Sequence, residues 1–285
     1  MIYEHEIPTG SKLYFGESAK LKRSLERVAS ELFYEAGFEE IVTPFFSYHQ
    51  HQSIDEKELL RFSDEQNHIV SLRADSTMDA VRLITKRVGR STSHDKWFYI
   101  QPVFRYPSHE VHQIGAELIG QEDLAQSIGM SVALFQKFEL KPLLHVSNIN
   151  IPKILSTMLQ IDLAIFEKGE LQKLLALDIP WLTKLTCLQT QEQIDAIIDE
   201  VPSELQNELL KMKALAKNIA YSNVVFSPLY YVKMRYYKAL FFRFIEKNFT
   251  LGVGGSYDCE GIASSGFGLY SDDIIEILIK RDGQK

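Results

Sequence analysis

The sequence lacks the features that mark disulfide-rich, zinc-binding, membrane and secreted proteins. Only two of its 285 residues are cysteines, Cys187 and Cys259, and they form no C-x-x-C pair, so neither a zinc site nor a disulfide framework is predicted. We expect both thiols to pack in the interior. No apolar run approaches the roughly 20 residues needed to span a bilayer. The N-terminus also lacks the basic and apolar regions of a signal peptide. A cytoplasmic protein without a membrane segment is therefore expected.

Positive charge is also scarce. The chain has 31 Lys and Arg residues against 38 Asp and Glu residues, a formal net charge of -7. Nucleic-acid binding depends on neutralising phosphates with Lys and Arg, so this composition argues against a nucleic-acid partner. The densest basic run, residues 20–27, alternates with apolar residues at helical spacing and fits a solvated helix face.

Apolar periodicity divides the chain into three stretches. Residues 18–36 have a helical period and are followed by Gly37, which predicts a long helix and its end. Strand-like runs come next, and we expect them to share one sheet. These runs are residues 38–44, 69–72, 97–104, 113–120 and 143–146.

The middle of the chain has a different composition from its two flanks. Residues 151–220 have helical periods, whereas the last stretch returns to strand-like aromatic runs, glycine-rich turns at Gly252, Gly254 and Gly255, and a closing helix from Asp272. We therefore predict one discontinuous domain, residues 1–150 and 221–285, interrupted by a helical insertion at residues 151–220.

Five segments follow one another along nearly the whole chain: residues 37–44, 72–77, 103–106 with 112–120, 236–237, and 254–258 with 266–268. In this order they resemble segments of class II aminoacyl-tRNA synthetases in their histidyl-tRNA synthetase form. There they correspond to motif 1, the segment that holds the amino group of histidine, motif 2, the imidazole pocket and the approach to motif 3. Each is weak alone, and their order carries the resemblance. It implies an α+β fold, an antiparallel sheet flanked by helices, with the helical insertion.

The sequence departs from that family mainly at residues that take part in amino-acid activation. Activating an amino acid with ATP develops negative charge on phosphate, which guanidinium groups stabilise. Arg105 can serve as the motif 2 arginine, but Asp273 replaces the motif 3 arginine and would repel phosphate. The loop between Tyr106 and His112 is short and lacks arginine. Val232 and Lys233 replace an Arg-Gly pair, and we expect no anticodon-binding domain after Asp273.

This profile resembles the regulatory subunits of ATP phosphoribosyltransferase, and Asp75 agrees with that family. The resemblance implies a chain with no catalysis of its own. It implies assembly with a short-form catalytic subunit, which carries out the first step of histidine biosynthesis. In the complex the catalytic subunit becomes active and is inhibited by histidine. A homodimer through the motif 1-like region is also implied. Arg235 departs from both families.

The resemblance also suggests a residual histidine-like pocket. Its candidate residues are Asp75, Thr77, Arg105, Gln113, Glu117, Tyr236, Tyr237 and Tyr257. The carboxylates and the hydroxyl can pair with an ammonium or imidazole group, and the tyrosines can form walls. The alternative is that these polar groups satisfy one another within a scaffold.

No motif predicts a metal or a cofactor. His109 and His112 are spaced i, i+3 in a predicted loop and strand, unlike the i, i+4 pair of a helical zinc motif. Residues 252–255 lack the strand-turn-helix context of a dinucleotide site.

Two other functions remain open. One is a stand-alone synthetase-like enzyme that activates an amino acid, and the other is a dimeric scaffold without effect on any phosphoribosyltransferase. The enzyme needs a substitute for the missing arginine, and Lys280 and Arg281 lie about two helical turns beyond Asp273.

Overall fold

The computed structural model describes residues 6–48, 54–231, 237–259 and 261–282. The helices are α1 (Gly16–Glu35), α2 (Ser76–Lys86), α3 (Leu124–Lys137), α4 (Asn150–Leu159), α5 (Ala164–Glu167), α6 (Leu171–Leu175), α7 (Pro180–Thr186), α8 (Gln191–Ile197), α9 (Ser203–Lys217) and α10 (Ser271–Asp282). The strands are β1 (Glu39–Glu40), β2 (Phe46–Ser47), β3 (Arg61–Ser63), β4 (Ile69–Leu72), β5 (Lys96–Arg105), β6 (His109–Leu118), β7 (Leu143–Asn148), β8 (Val224–Phe226), β9 (Tyr237–Glu246), β10 (Phe249–Cys259) and β11 (Ile262–Tyr270). Across these ranges no helix is both long and apolar enough to cross a membrane.

The centre of the fold is an eight-stranded sheet with the order β1-β5-β6-β11-β10-β9-β7-β8. Its inner pairs are antiparallel, and the outer pairs β1–β5 and β7–β8 are parallel. A mixed α+β fold with a largely antiparallel sheet is thus confirmed. Residues 69–72, expected in this sheet, instead form a second sheet of order β2-β4-β3. After β4 the chain enters α2, which packs on β5 and β6 and so covers the face of the large sheet.

The two faces of the large sheet have different character because side chains alternate along each strand. On one face, Ile114, Ala116 and Leu118 of β6 join the main apolar core with α1, α3 and α10. The opposite face carries Glu117 and is covered by α2, whose Met78 and Val81 pack against aromatic side chains of β9 and β10. This second face holds the candidate site.

The helical character of the middle segment is confirmed, since α4 to α9 occupy it. Their apolar residues, such as Leu155, Leu182 and Leu209, belong to the same core as the large sheet. The helices therefore pack directly on the sheet. The division of the chain into a discontinuous domain and an insertion stays a prediction.

The first helix matches its prediction closely. Helix α1 begins at Gly16 and ends at Glu35. Gly37 has φ of +79°, the left-handed conformation that ends many helices. The strand expected over residues 38–44 is reduced to the two residues of β1.

The glycines expected to form turns lie inside β10, so that prediction is wrong. A Cβ at Gly254 would lie 2.4 Å from the Phe242 ring, and one at Gly255 would lie 2.6 Å from the Tyr237 ring. These positions are glycine because aromatic side chains of β9 lie flat across the strand.

Cys187 is exposed, against expectation. It follows α7, where Leu182, Leu185 and Leu188 already occupy the buried positions. The side chain of Cys259 lies outside the part of the chain that is described.

Candidate functional site

Glu117 is the centre of a buried polar cluster on the face covered by α2. The Tyr257 hydroxyl donates to its Oε2 at 2.7 Å, and the Tyr99 hydroxyl donates to its Oε1 at 3.3 Å. Tyr99 also lies 2.9 Å from the Thr77 hydroxyl. Burial outweighs these hydrogen bonds and raises the pKa of Glu117 to about 8. The carboxyl group therefore holds a proton near neutral pH.

Glycines make room for this cluster. A Cβ at Gly266 of β11 would lie 1.8 Å from Glu117 Oε2, and a Cβ at Gly115 of β6 would lie 2.3 Å from the Tyr99 ring. With hydrogen at both positions, the acid and the phenol lie flat on the sheet. The close packing leaves no room for a side chain at Gly266 or Gly115.

Helix α2 contributes Asp75 and Thr77 at its start. Asp75 is the N-cap and accepts a hydrogen bond from the Met78 amide at 2.8 Å, as capping residues do. Its negative charge raises the pKa values of Glu117 and Tyr99, which places it electrostatically in the same cluster. The Thr77 hydroxyl pairs with Tyr99.

Gln113 and Arg105 lie further along the same face. Gln113 is opposite Gln101 of β5 and Tyr270 of β11. Arg105 ends β5, where it donates to Glu58 at 3.2 Å and to the Ala74 carbonyl at 3.3 Å. Burial raises the pKa of Tyr270 to about 12, against a lowering by the charge of Arg105.

Tyr237 completes the aromatic side of the cluster. It is buried, pairs with Tyr257 across β9 and β10, and contacts Phe241 at 5.3 Å between ring centroids. The structure thus brings together Asp75, Thr77, Glu117, Tyr237 and Tyr257, with Gln113 and Arg105 further along the sheet. Tyr236 lies outside the described residues.

Three residues of this region were missed from the sequence. Tyr99 links Glu117 to Thr77, and the alternation of β5 could have placed it on this face. Gln101 is buried with its Nε2 unpartnered, while its Oε1 accepts from the Thr43 amide and hydroxyl at 3.2 Å each. The Ser76 hydroxyl is likewise buried and unpartnered within the described chain.

Asp273 and its neighbours form a negatively charged region at the start of α10. Asp272 accepts hydrogen bonds from the Tyr14 hydroxyl and from the His112 amide. Burial raises the pKa of Asp273; the charge of Lys12 opposes that rise, while Asp272 and Glu276 add to it. Lys12 lies 3.6 Å from Glu276. The structure therefore places a lysine from the N-terminal segment over this region.

The two cations beyond Asp273 form hydrogen bonds with other groups, although Lys280 reaches Glu276 of the acidic region. Lys280 donates to Glu276 at 2.7 Å, and Arg281 donates to the Phe138 carbonyl at 2.9 Å. Neither side chain replaces the arginine that Asp273 displaces.

The loop expected between Tyr106 and His112 is shorter still. Only residues 106–108 form a turn, and His109 already belongs to β6. The N-terminal segment covers this turn, since Gly10 accepts from the Glu110 amide at 3.0 Å and Ser11 donates to the Ser108 carbonyl at 3.3 Å. His112 contacts the carboxylates of Glu110 and Asp272.

Comparison with known proteins agrees with this architecture. The family described as histidyl-tRNA synthetase matches residues 14–270. An ATP phosphoribosyltransferase regulatory subunit/histidyl-tRNA synthetase from Bacillus halodurans superimposes with a TM-score of 0.84 at 21% identity, covering 98% of this chain and 84% of that one. Histidyl-tRNA synthetase from Nostoc superimposes with a TM-score of 0.78 at 12% identity, covering 98% and 75%. The fold is therefore that of the histidyl-tRNA synthetase class.

Two relatives of known name show to which family within this class the chain belongs. Both are called ATP phosphoribosyltransferase regulatory subunit. The one from Wolinella succinogenes is 46% identical over 99% of this chain and 99% of its own length. The one from Helicobacter hepaticus is 42% identical over 98% of this chain and 100% of its own length. The chain belongs to the ATP phosphoribosyltransferase regulatory subunit family.

Proposed function

We propose that this chain is the non-catalytic regulatory subunit of an ATP phosphoribosyltransferase. In this role it assembles with a short-form catalytic subunit, is required for its activity, and carries feedback inhibition by histidine in the first step of histidine biosynthesis. The support is the similarity to two named regulatory subunits over nearly the full length of each chain. We place the complex in the cytoplasm, with no nucleic acid bound.

The observation that carries the non-catalytic part is the charge around Asp273. Burial is the main cause of the raised pKa of Asp273, and the charges of Asp272 and Glu276 add to it, so carboxyl groups lie together where an ATP-dependent synthetase needs a cation. A phosphate entering here meets electrostatic repulsion. Lys12 lies 3.6 Å from Glu276, and its charge also acts on Asp273. This region favours a chain that has lost adenylate chemistry.

A reconstitution assay tests the proposal. The chain is mixed with the short-form catalytic subunit of the same organism, and phosphoribosyl-ATP formation is followed with and without histidine. We expect the mixture to be active and histidine-sensitive, and the catalytic subunit alone to lack at least one of these properties. An unchanged rate together with no complex on gel filtration would favour the plain scaffold.

The amino-acid-activating enzyme is the second candidate function. It predicts ATP-pyrophosphate exchange by the isolated chain with at least one amino acid. We expect no exchange, because Asp273 and its neighbours repel the phosphates. Detectable exchange that disappears in Arg105→Met would support the enzyme instead.

The Glu117 cluster is the proposed histidine-like pocket. The residues predicted for this pocket are Asp75, Thr77, Arg105, Gln113, Glu117, Tyr236, Tyr237 and Tyr257, of which Tyr236 lies outside the described residues. The unpartnered Nε2 of Gln101 and Oγ of Ser76 support a ligand here, because buried polar atoms otherwise find partners. The opposing observation is that Glu117 already accepts from Tyr257 and Tyr99. Calorimetric titration with histidine decides between the two, and an absence of heat at millimolar ligand would exclude the pocket.

A homodimer through the motif 1-like region is part of the proposal. Val42, within residues 37–44, is exposed, and so are five large apolar side chains after it: Phe45, Phe46, Tyr48, Phe62 and Ile69. Phe46 and Phe62 contact each other edge to face at 5.5 Å between centroids. Exposed apolar surface of this density is typical of protein interfaces.

A further inference from the structure

A cavity of about 250 Å³ lies between the helical segment and the β7 side of the large sheet. Its walls are mainly apolar, and none of its lining residues belongs to the Glu117 cluster. The apolar part comprises Phe166, Leu171, Leu188, Pro228 and Leu229, and the polar part includes His145, Gln189, Ser227 and Tyr230. The volume is below the roughly 300 Å³ at which pockets for drug-sized ligands begin. Only a small molecule fits.

His145 places a hydrogen-bond donor at this cavity. Its side chain is 6% exposed, and its Nδ1 lies 3.3 Å from Arg243 Nε. Arginine Nε–H can only donate, so Nδ1 is the acceptor and the ring proton resides on Nε2. Burial and the charge of Arg243 lower the pKa of His145 to about 4, which keeps the ring neutral. The Nε2–H has no hydrogen-bond partner among the residues that the structure describes.

Arg243 gives the region a positive charge that no carboxylate of the described residues pairs with. The guanidinium donates to the Tyr230 hydroxyl at 2.8 Å and lies 3.9 Å from the centre of that ring. Both contacts are made with an uncharged side chain. A partly buried cation is normally paired with an anion. Arg243 lies behind His145 and Tyr230, which line the cavity, so its charge favours an anion there without direct contact.

We propose that this cavity binds a small monocarboxylate with a short apolar body. The carboxylate accepts from His145 Nε2–H in the field of Arg243, and the apolar body contacts Phe166, Leu171 and Leu188. The apolar wall formed by Phe166, Leu171 and Leu188 favours a ligand with an apolar body over inorganic phosphate. The inference is independent of the proposed function, since it concerns the isolated chain.

Calorimetric titration of the isolated chain tests the proposal with butyrate and benzoate as probes, and with butanol and benzyl alcohol as uncharged matches. We expect saturable binding of at least one carboxylate and none of its alcohol. Arg243→Met should weaken the binding at least tenfold. Lys238→Met, which removes an exposed cation from the same strand, should leave the affinity unchanged. His145→Phe should abolish binding and serves if Arg243→Met fails to fold.

Three outcomes would overturn the proposal. They are no saturable binding of either carboxylate at millimolar concentration, equal affinity in Arg243→Met and Lys238→Met, and binding that is lost in Glu117→Gln but kept in Arg243→Met. The last would place the ligand in the Glu117 cluster. Circular dichroism of each variant establishes that it is folded before its affinity is compared.

Discussion

Glu117 shows how burial sets the protonation state of a single side chain. Two tyrosine hydroxyls donate to it, which favours the charged form, yet its pKa is about 8 because the carboxyl is wholly removed from water. The negative charge of Asp75 acts in the same direction. A neutral acid at this position can donate as well as accept a hydrogen bond.

We predict that Glu117 makes folding stability fall as pH rises. The unfolded chain releases this proton near its ordinary pKa of 4.5, whereas the folded chain keeps it to about 8. Between these values the folded state binds more protons, so stability declines with pH by at most about 1.4 kcal/mol per pH unit. Urea unfolding from about pH 5 to about pH 8 should show Glu117→Gln gaining stability relative to wild type as pH increases. Exposed Glu122→Gln is the control, and parallel curves for wild type and Glu117→Gln would contradict the prediction.

Arg73 is a fully buried cation held by backbone carbonyls. It donates to the Thr43 carbonyl at 2.8 Å and twice to the Pro102 carbonyl, at 2.9 and 2.6 Å. Burial lowers its pKa to about 10. The side chain joins the end of β4 to the segment after β1 and to β5.

We predict that Arg73→Met destabilises the fold by about 3 kcal/mol, because it leaves two buried carbonyls without donors. Chemical denaturation measures the loss. Exposed Arg23→Met on α1, which breaks only a surface pair with Glu26, should change stability by less than about 0.5 kcal/mol. Equal losses in the two variants would show that the carbonyl contacts contribute little.

At the scale of elements, glycines in β6, β10 and β11 leave space for large side chains of the neighbouring strands. Gly266 illustrates this, since an added Cβ would also lie 2.7 Å from the Ala116 carbonyl of the neighbouring strand. Contacts of this length do not occur in relaxed proteins. Either Glu117 or the strand must move.

We predict that Gly266→Ala costs at least about 2 kcal/mol and displaces Glu117. The matched control is Gly129→Ala in α3, where a Cβ meets nothing within 4 Å. Alanine favours a helix over glycine by up to about 1 kcal/mol, so the control should be neutral or stabilising. Thermal unfolding compares the two, and a stable Gly266→Ala would mean that the Glu117 cluster repacks freely.

Local patterns predicted the elements better than their pairing. Helix α1 has a strong period and a glycine end, and β5 and α10 were also located from local signals. The assignment of β4 to a second sheet rests on its pairing with β3 and β2, two short strands that the sequence pattern did not predict. The glycines of β10 suggested turns, but Gly254 and Gly255 lie inside a strand, where the Phe242 and Tyr237 rings of β9 leave no room for a side chain. The local sequence does not report these rings. Tyr99 was missed, although the alternation of side chains along β5 places it on the face that carries Glu117.

At the scale of the whole molecule, the exposed apolar side chains around β2 predict self-association. Val42 is 75% exposed, a large apolar exposure for a side chain next to a folded sheet. We predict that the double variant Val42→Glu/Phe46→Glu lowers the molar mass measured by light scattering towards that of a monomer, because it places charge in the interface. Leu175→Glu, at an exposed leucine of α6, should leave the mass unchanged. A monomeric wild type, or two variants of equal mass, would rule out this interface.

The order of strands in the large sheet has a consequence for synthesis on the ribosome. The hairpin of β5 and β6 can form early, but the free edge of β6 pairs with β11, as in the Leu118–Ser265 register. Well over a hundred residues, including α4 to α9, must emerge between these two strands. Throughout that interval β6 presents an open edge, a template for pairing with other chains. Nascent chains of this protein should therefore depend on chaperones until β11 has been made.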